Sequence, residues 1–118
     1  MYKVVSLFAG CGGCDQGITG DFVFNQKRYE RLPFELTYAM DIDQKALNTH
    51  MLNFRDSIIK CADVCDVESS EIPDCDVIIG GFPCQSFSTV NPTKDPFDER
   101  ANLYKQMVRI VKYLLQKM

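Results

Sequence analysis

The sequence predicts an α/β fold built on a parallel sheet, and only the first half of a doubly wound domain. Three observations point there. Short apolar runs rich in β-branched residues alternate with segments whose apolar residues recur every three or four positions. Each apolar run stops at or just before a glycine or an aspartate, at the strand ends where open α/β sheets bind ligands. Only four strands can be placed before the chain stops in a helix, and a doubly wound sheet usually has more.

The elements follow in order. Val4 to Phe8 is a short buried strand. The glycine-rich turn Phe8-Ala9-Gly10-Cys11-Gly12-Gly13 leads into a helix start. Gly20 to Pro33 is among the least regular parts and carries Lys27, Arg28 and Arg31. Phe34 to Met40 is a second strand that ends at Asp41. Asp43 to Phe54 predicts a helix: Asp43 is a capping residue, and Ala46, Leu47, Met51 and Phe54 share a face. Ser57 to Cys61 is a third, shorter strand before Asp63, and Asp76 to Gly80 is a fourth. Ser86 to Phe97 is irregular. The segment from Asp98 to Met118 is the clearest helix, with Leu103, Met107, Ile110, Val111, Leu114 and Met118 in one stripe. Asp98 and Glu99 suit its positive start, and Lys112 and Lys117 its negative end.

Composition sets bounds. At 118 residues the chain is one domain at most. Apolar residues make up 46% and charged residues 25%, as in an ordinary globular protein. No apolar run approaches the roughly 20 residues of a membrane span. The N-terminus is too short and glycine-broken for an export signal. The chain therefore reads as intracellular and cytoplasmic. Net charge is −3, which argues against a stand-alone nucleic-acid binder with its usual basic face. With no export signal, the six cysteines read as free thiols rather than a disulfide framework.

Three strand ends carry groups suited to a nucleoside. The glycine turn lets backbone approach a ligand closely, and the helix after it offers free N–H groups. It meets the Gly-x-Gly-x-x-Gly fingerprint only loosely, and a purely conformational role is the alternative. Asp41 suits ribose hydroxyls, although it follows the turn by about 30 residues rather than ~20. The Gly20 to Pro33 segment accounts for the excess. Asp63 suits an adenine amino group. Either acid alone is equally a turn or capping residue. Cys11 and Cys14 form a Cys-x-x-Cys, a spacing also used by redox pairs and zinc sites. The irregular spacing of Cys61, Cys65 and Cys75, and a single histidine placed on a helix, count against zinc; we expect no metal site.

After the fourth strand, Gly80-Gly81 turns the chain and Pro83 stiffens the backbone before Cys84. A structural cysteine more often sits inside a strand. One held on a rigid turn at a strand's carboxyl end suits a nucleophile.

In order along the chain, "SLFAGCGGCDQG", "YAMDID", "CADV", "GGFPCQSFS" and "RANLY" resemble the first five motifs of the DNA (cytosine-5) methyltransferases. The resemblance spans nearly all of the chain, and "GGFPCQSFS" is its most specific part. It implies an S-adenosylmethionine-dependent methyltransferase with a Rossmann-like parallel sheet, N-terminal half only. It implies S-adenosyl-L-methionine as cofactor and double-stranded DNA as partner, as in bacterial restriction–modification systems. By resemblance, Phe8, Ala9, Gly10 and Gly12 belong to the cofactor turn. Asp41 matches the ribose acid, with Ile42 on the adenine. Asp63 matches the acid at the adenine amino group, with Val64 beside it. Leu103 lines the cofactor pocket, and Pro83-Cys84 matches the nucleophile motif. Ser86 and Ser88 fall in a loop that closes over DNA, as phosphate contacts or as solvated loop residues.

Two departures bear on this. The fifth motif reads Arg100-Ala101 where the family usually has Arg-Gly. The later motifs, with the acid that protonates cytosine, the cofactor pocket's last part and the target-recognition region, are missing. Residues 1–118 are thus expected to be a partial catalytic domain, inactive alone. It would be completed by a second polypeptide or by a truncated continuation. A transfer-RNA enzyme fragment and a non-catalytic subunit remain as alternatives.

Overall fold

The computed structural model describes residues 1–81 and 103–117. Expectations that fall on Pro83, Cys84, Ser86, Ser88, Asp98, Glu99 and Met118 lie outside the described residues. The order is β1 (Tyr2–Leu7), α1 (Gly13–Thr19), β2 (Phe22–Phe24), β3 (Lys27–Tyr29), β4 (Phe34–Asp41), α2 (Gln44–Asn53), β5 (Ile58–Cys61), β6 (Val77–Gly80) and α3 (Leu103–Gln116). Two single-turn 3₁₀ helices, Val64–Asp66 and Ser69–Glu71, lie between β5 and β6.

Four strands form a parallel sheet in the order β5-β4-β1-β6. The chain begins in the middle of the sheet, grows outward through β4 and β5, then crosses back to set β6 on the other side of β1. That reversal is the topological switch point of an α/β sheet, and ligands bind at the carboxyl ends beside it. The four predicted strands are all present, so the parallel α/β expectation holds.

Both sheet faces are covered, as a parallel sheet requires. On one face Val5, Leu7, Tyr38 and Met40 pack with Val64, Val67, Ile72 and the α3 residues Ile110 and Leu114. On the other, Val4, Leu36 and Ala39 pack with Ile18 near the end of α1 and Phe54 just past α2. Alternate residues of β1 thus serve opposite faces. The pairing of β1 with β4 slips by one residue at Val4/Val5, which leaves Thr37 as the extra residue of a bulge. The Thr37 hydroxyl donates to the Val4 carbonyl at 3.2 Å.

Four details differ from expectation. Gly20 to Pro33 is regular: β2 and β3 form an antiparallel hairpin. Its two-residue turn, Asn25-Gln26, has φ of +52° and +64°, the left-handed pair that matches strand twist. Phe22 and Tyr29 stack across it at 4.8 Å. The first strand starts earlier, at Tyr2, and stops at Leu7, because Phe8 has already turned to φ +57°. On α2, His50 rather than Met51 faces inward, since 47, 50 and 54 share the buried side. On α3, Ile110 and Leu114 are buried as expected, but Lys117 lies just past the helix and pairs with Asp74 at 2.8 Å.

Candidate functional site

The glycine turn is built from left-handed backbone. Phe8, Gly10 and Gly12 have φ of +57°, +58° and +94°. A Cβ on Gly10 would meet open space, so that edge of the turn can be approached closely. Gly12 is different. It is buried, and a Cβ there would lie 2.8 Å from Cδ2 of His50 and 3.1 Å from Cε2 of Phe54. Gly12 also caps the start of α1, where its carbonyl accepts from Gln16 N–H at 2.8 Å.

Asp41 ties this turn to the next strand end. One carboxylate oxygen accepts from Gly10 N–H at 2.8 Å and the other from Asp43 N–H at 2.9 Å. Each oxygen keeps a further lone pair. Backbone bonds complete the join: Ala9 N–H donates to the Met40 carbonyl at 2.9 Å, and Ala62 N–H to the Asp41 carbonyl at 3.0 Å. Three strand ends are thereby sewn together around one carboxylate. Asp43 in turn caps α2, accepting from Lys45 and Ala46 N–H, as its sequence position predicts. Ile42, between the two aspartates, is 68% exposed, an apolar side chain at the rim rather than in the core.

Asp63 stands at the third strand end. Its Oδ1 accepts from Cys65 N–H at 2.9 Å, which caps the first 3₁₀ turn. Its Oδ2 has no hydrogen bond among the described residues. Val64 follows, with its side chain in the core. Leu103, at the start of α3, packs against the same core cluster. The structure therefore brings Phe8, Ala9, Gly10, Asp41, Ile42 and Asp63 to one edge of the sheet. Gly12 and Val64 sit beneath that edge. Pro83, Cys84, Ser86 and Ser88 follow β6, whose end pairs with Leu7 beside the glycine turn, but lie outside the described residues.

Two features escaped sequence reasoning. The first is a buried pair: His50 Nε2 lies 2.7 Å from Asp15 Oδ2, and the two side chains are 0% and 1% exposed. Thirty-five positions separate them, and although Asp15 lies within the "SLFAGCGGCDQG" stretch, nothing local pairs it with His50. His50 Nδ1 and Asp15 Oδ1 have no hydrogen-bond partner among the described residues. The second is Arg109, whose guanidinium grips the loop after Asp63. The apolar stripe on α3 drew attention to its neighbours instead. Cys11, Cys14 and Cys61 are free of disulfides and exposed, Cys75 is free of a disulfide and half-buried, and Cys65 is exposed. Burial, then the Asp76 and Asp74 carboxylates, push the Cys75 thiol up from its ordinary value. Among the described residues no three metal-ligating side chains gather.

The C-5 cytosine-specific DNA methylase family model matches residues 2–116. The type II methyltransferase M.NgoFVII of Neisseria gonorrhoeae is 36% identical over 92% of this chain and 26% of its own length. M.Bsp6I of Bacillus sp. is 35% identical over 94% of this chain and 32% of its own. Among solved structures, a prophage-encoded E. coli protein assigned as a DNA modification methyltransferase superposes with a TM-score of 0.74 at 32% identity. That match covers 98% of this chain and 30% of the E. coli one. The Dnmt2 methyltransferase of S. pombe shares the fold, with a TM-score of 0.66 at 20% identity, over 97% of this chain and 33% of its own. The chain thus spans between a quarter and a third of the length of the relatives it matches. Matched along nearly its whole length, this chain belongs to the C-5 cytosine-specific DNA methylase family.

Proposed function

We propose that the chain is the cofactor-and-nucleophile part of a cytoplasmic enzyme that methylates carbon 5 of cytosine in double-stranded DNA. S-adenosyl-L-methionine is the proposed methyl donor, and Cys84 the nucleophile. The observation that carries this reading is the junction at Asp41: one carboxylate, bonded to Gly10 and Asp43, joins the glycine turn to two further strand ends.

The residues present fit a nucleoside cofactor. Gly10 leaves room for close approach, Asp41 keeps lone pairs for ribose hydroxyls, and Ile42 offers an exposed apolar face for adenine. Asp63 Oδ2 is a spare acceptor for the adenine amino group. Val64 would act through its backbone, and Phe8, Ala9, Gly12 and Leu103 through shape. When bound, the cofactor supplies a methyl group on an electron-poor sulfonium.

The chain's own part in the chemistry falls to Cys84. Carbon 5 of cytosine is a weak nucleophile. A thiolate adding to carbon 6 makes the ring enamine-like, so that carbon 5 can attack. After transfer, loss of the carbon-5 proton and departure of the thiolate restore the aromatic base. Pro83 would hold the thiol's backbone rigid. A base inside a duplex is out of reach, so the target must be flipped out. Ser86 and Ser88 are proposed phosphate contacts. The acid that protonates cytosine, and most of the DNA-reading surface, would come from the remaining two-thirds or more, as a continuation or a second polypeptide.

The test is covalent trapping on DNA containing 5-fluorocytosine, with the remainder supplied to reconstitute the enzyme. A trapped adduct that Cys84→Ser abolishes is expected. Trapping that survives Cys84→Ser would refute the assignment. Methyl transfer by the 118-residue chain alone would refute the need for a second part.

A further inference from the structure

We propose that Arg109 is a positioning residue for the adenine end of the cofactor site, acting through the loop that carries Asp63. The proposal rests on the assignment of Asp63 to the adenine amino group. Arg109 lies on α3 and is half-buried. Its guanidinium makes four hydrogen bonds. Nε donates to Gln106 Oε1 at 2.9 Å and Nη1 to Ser69 Oγ at 2.8 Å. Nη2 donates to two backbone carbonyls, of Val64 at 3.1 Å and Val67 at 2.9 Å.

Three of these four acceptors belong to the connection between β5 and β6, and two of them bracket the 3₁₀ turn next to Asp63. That turn has little strength of its own. It is one turn of 3₁₀ helix, and its closing bond is long: Val67 N–H reaches the Val64 carbonyl at 3.3 Å. Asp63 is part of the same turn, accepting Cys65 N–H on Oδ1 and Asp66 N–H on its carbonyl at 2.9 Å. Whatever fixes Val64 and Val67 therefore fixes where Asp63 Oδ2, unpaired among the described residues, stands.

The grip needs a guanidinium. Its planar fork reaches several acceptors at once, whereas an ammonium is a single point of charge. Burying α3 does not require it, since Ile110 and Leu114 already anchor the helix on the sheet. The guanidinium reaches past that contact to the loop.

The test compares binding of S-adenosylhomocysteine with that of S-inosylhomocysteine, which has a carbonyl in place of the adenine amino group. Wild type, Arg109→Lys, Ser69→Ala and Asp63→Asn, each reconstituted with the remainder of the enzyme, are titrated with both ligands, and folding is followed by circular dichroism. Wild type is expected to prefer the adenine ligand by about tenfold or more, the worth of one hydrogen bond to a charged group. Asp63→Asn is expected to lose that preference. Arg109→Lys is expected to lose most of it while staying folded, and Ser69→Ala, which removes one acceptor, to lose part. A general weakening with the preference intact would mean that Arg109 only packs α3, and would overturn the proposal. So would a full preference in Arg109→Lys, or in Ser69→Ala should the lysine variant not fold. A preference that survives Asp63→Asn would instead refute the role of Asp63. A reconstituted wild-type enzyme that binds neither ligand would refute the cofactor site itself, and this proposal with it.

Discussion

Gly12→Ala is the most demanding test of the glycine turn. Gly12 sits at φ +94°, and its missing Cβ would fall 2.8 Å from Cδ2 of a fully buried His50. Two costs add. A side chain in left-handed backbone costs about 1–2 kcal/mol. Overpacking against a fixed neighbour costs about 1–3 kcal/mol more. His50 cannot simply swing away, because Asp15 holds its Nε2 and Phe54 lies over its ring at 4.8 Å. Alanine also restricts the unfolded chain, which returns about 0.4–1 kcal/mol. The net loss is about 2–4 kcal/mol, a large part of a domain's usual roughly 5–15 kcal/mol. Urea unfolding followed by circular dichroism would read this as a midpoint lowered by about 1–3 M. Two controls sharpen the result. Gly10→Ala has the backbone strain and open space, so about 1 kcal/mol is expected. Gly13→Ala has open space and begins α1, so no loss is expected. If Gly12→Ala costs no more than Gly10→Ala, the close packing of the turn on His50 is wrong.

Other expectations concern the buried groups. Asp15→Ala leaves His50 Nε2 buried without its acceptor, and should cost about 1–3 kcal/mol in the same assay. An unchanged midpoint would show that the pair is not made in solution. Alkaline pH should destabilise the fold. Burial, then the charge of Glu71, holds the Tyr38 phenol above its ordinary value, and burial with Asp76 and Asp74 does the same for the Cys75 thiol. Unfolded, both groups release their protons at lower pH than when folded. The unfolded state then binds fewer protons, so stability is complete below about pH 8 and falls as pH rises through and beyond about 9. Urea midpoints at pH 8 and pH 10 should show the drop, and Cys75→Ala should reduce it. A midpoint that holds steady or rises would contradict this.

The legible parts of the sequence were those where one local signal suffices. Each of the four parallel strands is a short β-branched or apolar run followed by a polar or glycine turn, and each lies where the pattern places it to within two residues at either end. Asp43 caps α2 because its side chain reaches N–H groups two and three residues on. The hairpin was hidden because its strands are three residues long and its turn is Asn-Gln, without the glycine that usually marks a left-handed pair. Asp41 was found as a strand-end acid, but its bond to Gly10 joins residues 31 apart, which no local pattern predicts.

By itself the sequence determined the strand and helix types, the glycine turn, the placing of acids after strands and, through its motifs, the family. These depend on neighbours within a few positions, where side-chain period and backbone preference act directly. Only the tertiary structure decided which strand ends meet, that His50 and Asp15 are buried against Gly12, and that Arg109 holds the loop of Asp63. Those contacts exist because the sheet places β4, β1 and β6 side by side with helices on both faces. Hydrogen bonds and burial act through space, and the order of residues along the chain does not state that proximity.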